Sequence, residues 1–265
     1  MQENNPYQAP IADVSVESEV QLELQGPVSN SFGQGWRWFA DAFGLFKLNA
    51  GMWIGMFIVY MIIMIVGSMI PFANMLMGFI APVFTAGFMV ACYKADTQGS
   101  AQFSDMFAGF KQQFGTLIRL GLLYILFSFI ILAILGIIIY LMAGADILAA
   151  FGSMASNTST PEDIQTVMPV LLIVILIGML FWTPLIMAIW FAPALIILNE
   201  QGPWDAMVLS LKGSLKNILP FFLYGILFMV FGILAMIPIG LGWLVLGPMI
   251  YISIYTAYKK IYLAS

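Results

Sequence analysis

Three related stretches of the chain carry an aspartate near the start and a lysine at the end. Residues 39–47 read FADAFGLFK, residues 103–111 FSDMFAGFK and residues 204–212 WDAMVLSLK. Gathered in one place, Asp41, Asp105 and Asp205 would offer oxygen ligands to a hard cation. Left apart, they are the acids that helices favour near their starts, solvated on the charged face of each segment, and this plainer reading fits better. Other chemistry is scarce. Histidine is absent and Cys92 is the single cysteine, so neither an internal disulfide nor a Cys/His cluster or nucleophile pair can form. No Gly-x-Ser-x-Gly elbow and no aspartate pair inside an apolar run exists, which removes intramembrane serine and aspartyl proteolysis. Acid–base catalysis needs positioned titratable groups. The expectation is a protein that is not an enzyme, with no catalytic, cofactor-binding or metal-ligating residues.

The elements that must position these segments are membrane spans. Of 265 residues, 62% are hydrophobic and only 8% charged, with a mean hydropathy of +0.99; soluble domains run near half apolar and about a quarter charged. Crossing roughly 30 Å of hydrocarbon takes about 20 apolar residues. The charge-free stretch from Lys47 to Lys94 has room for two spans, with a break near IPFAN (70–74). One span fits between Arg119 and Asp146, and two between Lys216 and Lys259, turning at IPIGLG (237–242). The stretch 164–199 is long for a single pass, and charge placement decides it. With one pass there, all nine basic residues (Arg37, Lys47, Lys94, Lys111, Arg119, Lys212, Lys216, Lys259 and Lys260) fall on one side. The loops near 71–76, 143–166 and 238–242 then hold none, and the positive-inside rule puts both termini in the cytoplasm.

The fold class expected is therefore all-α: a polytopic, multi-pass membrane bundle. Its six spans lie at about 51–70, 74–93, 116–142, 168–198, 217–237 and 241–262. No ionisable residue sits deep in a span, where ion pathways and coupled transport would need one; Arg119 is within snorkelling reach of the cytoplasm. In the 143–166 loop, Thr160 and Pro161 have the types and order of an N-cap and first helical position. Residues 1–32 hold five acids (Glu3, Asp13, Glu17, Glu19 and Glu23) among Pro, Gln and Ser. They lack the basic and apolar regions of a secretory signal and read as a disordered cytoplasmic tail, leaving 33–265 as the membrane domain.

At helical spacing the repeated segments are amphipathic. Phe39, Phe43 and Phe46 stand at i, i+4 and i+7 with Trp36 one turn earlier; Phe103, Phe107 and Phe110 repeat the pattern, as do Trp204, Val208 and Leu211. Lys47, Lys111 and Lys212 end them. Beside a membrane, such helices (about 34–48, 103–114 and 203–215) lie in the interface plane, rings at headgroup depth and cations near anionic lipid. Each precedes an outward span and then an inward span carrying a small residue and proline: Ala81-Pro82, Ala192-Pro193 and Gly247-Pro248. The chain thus reads as three copies of an interfacial helix plus a two-span hairpin, all in one orientation. Pro82, Pro184, Pro193 and Pro248 are expected to kink their helices, with Thr85 near Pro82 and Thr183 beside Pro184 as candidate covers for freed backbone groups and the proline-bearing helices packed toward the centre. Asn74, Asn199 and Asn217 read as helix-end caps, and Ser68, Ser128 and Ser253 as helix-packing residues.

The stretches GWRWFADAFGLFKLNAGMWIG, APVFTAGFMVACYKAD, DMFAGFKQQFGTLIRLGLLY, WFAPALIILNEQGPWDAMVLSLKGSLKN and GLGWLVLGPMIYISIYTAYK resemble, over about 33–262, an uncharacterised family of six-span inner-membrane proteins of Gram-negative bacteria. In layout alone the chain is similar to the membrane domain attached to some glycerophosphoryl diester phosphodiesterases, whose catalytic acids and histidines have no counterpart here. The resemblance implies fold and location, with no activity to transfer. The function expected is contact: a scaffold, an assembly factor or a lipid-organising protein. A carrier or channel for an apolar or neutral solute or lipid is the alternative that the kinked helices suggest. Membrane lipid and other membrane proteins are the expected partners, with self-association open and nothing pointing to nucleic acid.

Overall fold

A computed structural model describes residues 23–70, 73–142 and 144–263. Residues 1–22, most of the expected tail, lie outside the described part, as do residues 71–72, 143 and 264–265. The described elements are helical, apart from an isolated antiparallel bridge between Leu24 and Leu263. They are α1 (Gln34–Leu48), α2 (Ala50–Met69), α3 (Ala73–Gln98), a 3-10 turn (Phe103–Phe107), α4 (Ala108–Lys111), α5 (Phe114–Met142), α6 (Ala145–Ala155), α7 (Pro161–Trp190), α8 (Ala192–Asn199), α9 (Pro203–Lys216), α10 (Ile218–Met236) and α11 (Trp243–Tyr262). Among the described residues, five stretches are long and apolar enough to cross a membrane: Ala50–Met69, Met77–Gln98, Phe114–Leu141, Pro161–Asn199 and Ile218–Met236.

The sixth expected span, 241–262, is α11, and it differs in kind. Four tyrosines and Lys259 and Lys260 lower its hydropathy, and it is buried along most of its length from Leu246 to Tyr262. Lipid is not its main neighbour; α1, α2, α3 and α10 are. The proline-bearing stretches Pro82–Cys92 of α3, Ala192–Ile197 of α8 and Leu246–Tyr258 of α11 hold much of the buried core. By contrast α5, α7 and α10 expose apolar side chains such as Phe129, Leu176, Leu180, Phe222 and Ile233, the surface that hydrocarbon accepts without cost.

Local chemistry explains several boundaries. Asn49 caps α2 by accepting from the Met52 amide at 3.2 Å. At the start of α7, Thr160 and Asp163 form a reciprocal capping box with Pro161 just inside. Glu200 (φ 54°) closes α8 in the left-handed region.

The course of the backbone departs from the sequence reading at several places. Residues 103–114 do not form one amphipathic helix: a 3-10 turn and the single turn α4 stop at Gln112, and Gln113 (φ 53°) redirects the chain into α5. The loop 143–166 contains α6, which packs on α7. The span 168–198 is two helices, broken at Phe191. Pro193 opens the second, while Pro82, Pro184 and Pro248 stay inside continuous helices. Thr85 bonds Ala81 O, its own i−4 carbonyl, at 3.0 Å, so it does not cover the Gly78 carbonyl that Pro82 leaves free. Finally, residues 24–30 of the expected tail are held by hydrogen bonds to the ends of α9 and α11, because those helix ends present unused carbonyls.

Candidate functional site: a polar junction where helix ends converge

Glycine builds the first part of the junction. A Cβ on Gly87 would stand 1.9 Å from Met106 O, and one on Gly109 2.2 Å from Val83 O. With no Cβ at either position, the 103–111 segment presses its backbone onto α3. That contact delivers Asp105 to Lys94, Oδ1 to Nζ at 2.7 Å, while Asp105 Oδ2 accepts from the Gln102 amide at 2.8 Å. Asp105 is only 5% exposed; the sequence placed it on a solvated face, and a basic partner on the neighbouring helix is what permits its burial.

The second part is carried by α11. Tyr255, Tyr258 and Tyr262 stand at i, i+3 and i+7, hence on one face, and each hydroxyl reaches a different element. Tyr255 donates to Asp96 Oδ2 of α3 at 2.9 Å, and Lys259 Nζ meets the same oxygen at 2.5 Å. Tyr258 donates to Asn199 Oδ1 at the end of α8. Tyr262 donates to Leu209 O of α9 at 3.0 Å. From other faces, Thr256 Oγ1 donates to Trp38 O of α1 at 2.7 Å, and Ser253 shares a 2.7 Å hydrogen bond with Tyr224 of α10. One buried helix thus ties together α1, α3, α8, α9 and α10, which is why a tyrosine-rich sequence suits it better than a purely aliphatic one.

The third part is a side chain inserted into a helix. Phe191 N–H and Met187 C=O stand at the i and i−4 positions of a rung, but Ser210 of α9 sits between them. Its Oγ accepts from Phe191 N at 3.0 Å and donates to Met187 O at 2.7 Å. Ser214 adds a 3.3 Å bond to the same carbonyl. Such an insertion is a recognised cause of sharp bends, and it lies two residues before Pro193.

The fourth part is the strap, residues 24–30. Gln25 and Val28 donate their amides to Tyr262 O (2.7 Å) and Ile261 O (2.9 Å). Ser29 Oγ bonds Lys216 O at 3.1 Å, and Lys216 Nζ bonds Pro27 O at 2.9 Å. Asn217, fully buried, accepts from Asn30 N (2.9 Å) and Asn30 Nδ2 (3.0 Å) and donates to Val28 O (2.9 Å) and Gly213 O (2.8 Å). It does not cap α10 with its side chain; the strap uses it instead.

The residues singled out for membrane contact divide. Trp36, Phe43, Phe103, Phe110 and Trp204 are exposed large hydrophobics, and Lys47, Lys111 and Lys212 are exposed beside them. Lys47 Nζ lies 5.1 Å from the centre of the Phe43 ring, in cation–π range. Phe46 is buried, a correction to its contact role, because the inward face of α1 runs Gly35, Trp38, Ala42, Phe46. Phe39 is half-buried and stacks on Phe231 with centroids 4.7 Å apart; Phe107 and Leu211 are also half-buried. Asp41 and Asp205 remain exposed while Asp105 does not, so the three aspartates share no environment. Among the described residues, no group of three or more Asp, Glu or Cys side chains is placed to hold a metal ion. Within the junction, Asp96 and Asp105 are each matched by a lysine, and the Tyr255, Tyr258 and Tyr262 hydroxyls each donate across a helix boundary.

Sequence reasoning missed Asp96, Tyr255, Lys259, Tyr258 and Ser210. A faint signal existed in the Tyr-Lys pair at 93–94, repeated at 258–259. With this geometry in view, likeness to known proteins is informative. The chain is 26% identical over 251 residues, 85% of its own length and 89% of the relative's, to a probable inner membrane protein of Burkholderia thailandensis. No solved structure matches it. It is a membrane protein with several membrane-length apolar helices, and since residues 63–258 match the family described as a domain of unknown function, DUF7847, the chain belongs to that family.

Proposed function

We propose that this is a non-enzymatic inner-membrane protein that works by contact, organising anionic lipid and the membrane proteins around it. The observation that carries the reading is the set of exposed aromatics paired with exposed lysines on the three segments that lead into α2, α5 and α10. These are Trp36 and Phe43 with Lys47, Phe103 and Phe110 with Lys111, and Trp204 with Lys212. Rings at headgroup depth beside an ammonium group suit a phosphate-bearing surface. The segments pack around α3, α7, α8 and α11 at the ends where the polar junction lies, which supports one interface plane shared by all three.

The same reading takes α11 as a sixth span, despite its tyrosines, and both termini as cytoplasmic. The three segment-plus-hairpin units are then copies of one plan. A burial of α11 by its neighbours supports this, since a span shielded from lipid tolerates polar side chains.

The test is lipid selectivity. Purified protein in nanodiscs of mixed phosphatidylglycerol and phosphatidylcholine should enrich the anionic lipid at its rim, and K47Q/K111Q/K212Q should abolish that enrichment with the fold intact. Equal retention of both lipids by the unaltered protein, with no co-purifying membrane partner, overturns the reading. Transport of a neutral solute by reconstituted vesicles would replace it with a carrier.

A further inference from the structure

The strap and the serine in the α7–α8 break are joined by one rigid helix. Ser210 and Asn217 lie seven residues apart, about 10 Å along α9 and its end. At one end Asn217 is gripped by Asn30 and Val28 of the strap. At the other, Ser210 separates Phe191 N–H from Met187 C=O. We infer that the N-terminal strap is a releasable clasp that keeps Ser210 in the α7–α8 break, so that freeing the strap lets α9 withdraw and the Phe191–Met187 rung close.

Three features support a clasp over a fixed strut. The strap's outer bonds, Ser29 to Lys216 and Lys216 to Pro27, are solvent-exposed. Exposed hydrogen bonds with little apolar burial mark the low end of local stability; Pro27, Val28, Ser29 and Asn30 are exposed or half-buried, while Leu24 packs against the core. The rung has two arrangements that each satisfy both backbone groups. With Ser210 present, its hydroxyl serves donor and acceptor; with Ser210 gone, Phe191 N–H and Met187 C=O serve each other. The two backbone groups are thus satisfied in either state, as a two-state element requires of its buried main chain. Lastly, the strap also spans the last carbonyls of α11, Ile261 and Tyr262, and Tyr262 holds α9 through Leu209 O. Releasing the strap therefore loosens α9 at two points. This clasp does not depend on lipid selectivity.

Cysteine reactivity tests it in the full chain, because the native Cys92 is buried in α3 and reports global opening. A second cysteine is introduced by S214C, which leaves Ser210 in place; Ser214 is 1% exposed. Reaction with a water-soluble maleimide is followed at both cysteines by peptide mass spectrometry, in nanodiscs. The S29A/N30A change removes two strap side-chain bonds, one exposed and one part-buried, and should raise the rate at position 214 about tenfold with Cys92 unchanged. N217A, at the buried end, should raise it further. An unchanged rate at 214 in S29A/N30A overturns the clasp, and so does an equal acceleration at Cys92, which would mean general loosening. Because N217A removes a buried group and can impair folding, the strap-side variant carries the decision.

Discussion

The close approach of α3 and the 103–111 segment can be tested at its two glycines. In G87A the new Cβ would stand 1.9 Å from Met106 O and 2.4 Å from Met106 C, both backbone atoms. Real Cβ contacts stay above 3.0 Å, so the segment must retreat by about 1 Å. A clash with backbone cannot be relieved by changing a rotamer, which places the cost toward the upper end of overpacking penalties, about 3 kcal/mol. G109A meets Val83 O at 2.2 Å and should cost nearly as much. The proper comparison is G136A and G225A, two helical glycines with nothing within 4 Å. There the alanine faces open space and should be neutral or stabilising by up to about 1 kcal/mol, since alanine favours helix. Thermal unfolding in a mild detergent, followed by tryptophan fluorescence, should put G87A and G109A well below the unaltered protein, and G136A and G225A at or above it. If all four unfold together, α3 and the 103–111 segment are not in backbone contact, and the burial of Asp105 against Lys94 loses its basis.

Other outcomes follow from the same geometry. D105N should destabilise by about 2 kcal/mol and D96N by about 1 kcal/mol or less, because Asp105 has a 6% exposed side chain against 21% for Asp96 with its half-exposed Lys259; the reverse order in denaturation would contradict the burial pattern. Y258F should loosen the junction through loss of the bond to Asn199, seen as faster amide exchange at the end of α8, whereas Y140F, at an exposed position, should change nothing there. In the six-span reading, cysteines placed at Ser156 and Lys260 should react with an impermeant reagent from opposite sides of the membrane. Labelling of both from one side would remove α11 from the list of spans.

The local features of this fold were open to a reading of the residues in order. Run length against hydrocarbon thickness pointed to membrane-length apolar helices where α2, α3, α5, α7 and α10 lie, because a membrane helix satisfies its own backbone and needs only apolar side chains. Thr160 and Pro161 announced the start of α7, since a cap acts within a few residues of itself. The sequence alone also held the three aromatic-lysine segments and the prolines of the buried helices, though not which apolar side chains face outward, since Phe46 is buried and Phe39, Phe107 and Leu211 are half-buried. What it could not show depends on partners far along the chain. Ser210 meets Phe191 across 19 positions, Tyr255 meets Asp96 across 159, and Thr256 meets Trp38 across 218. No local pattern distinguishes a serine inserted in a neighbouring helix from a serine on a surface, or Asp105 buried beside Lys94 from Asp41 in the open. Only the packing of helix ends decided those roles, because a buried polar group is stable where a partner from another element arrives to satisfy it, and which element arrives is a property of the whole fold.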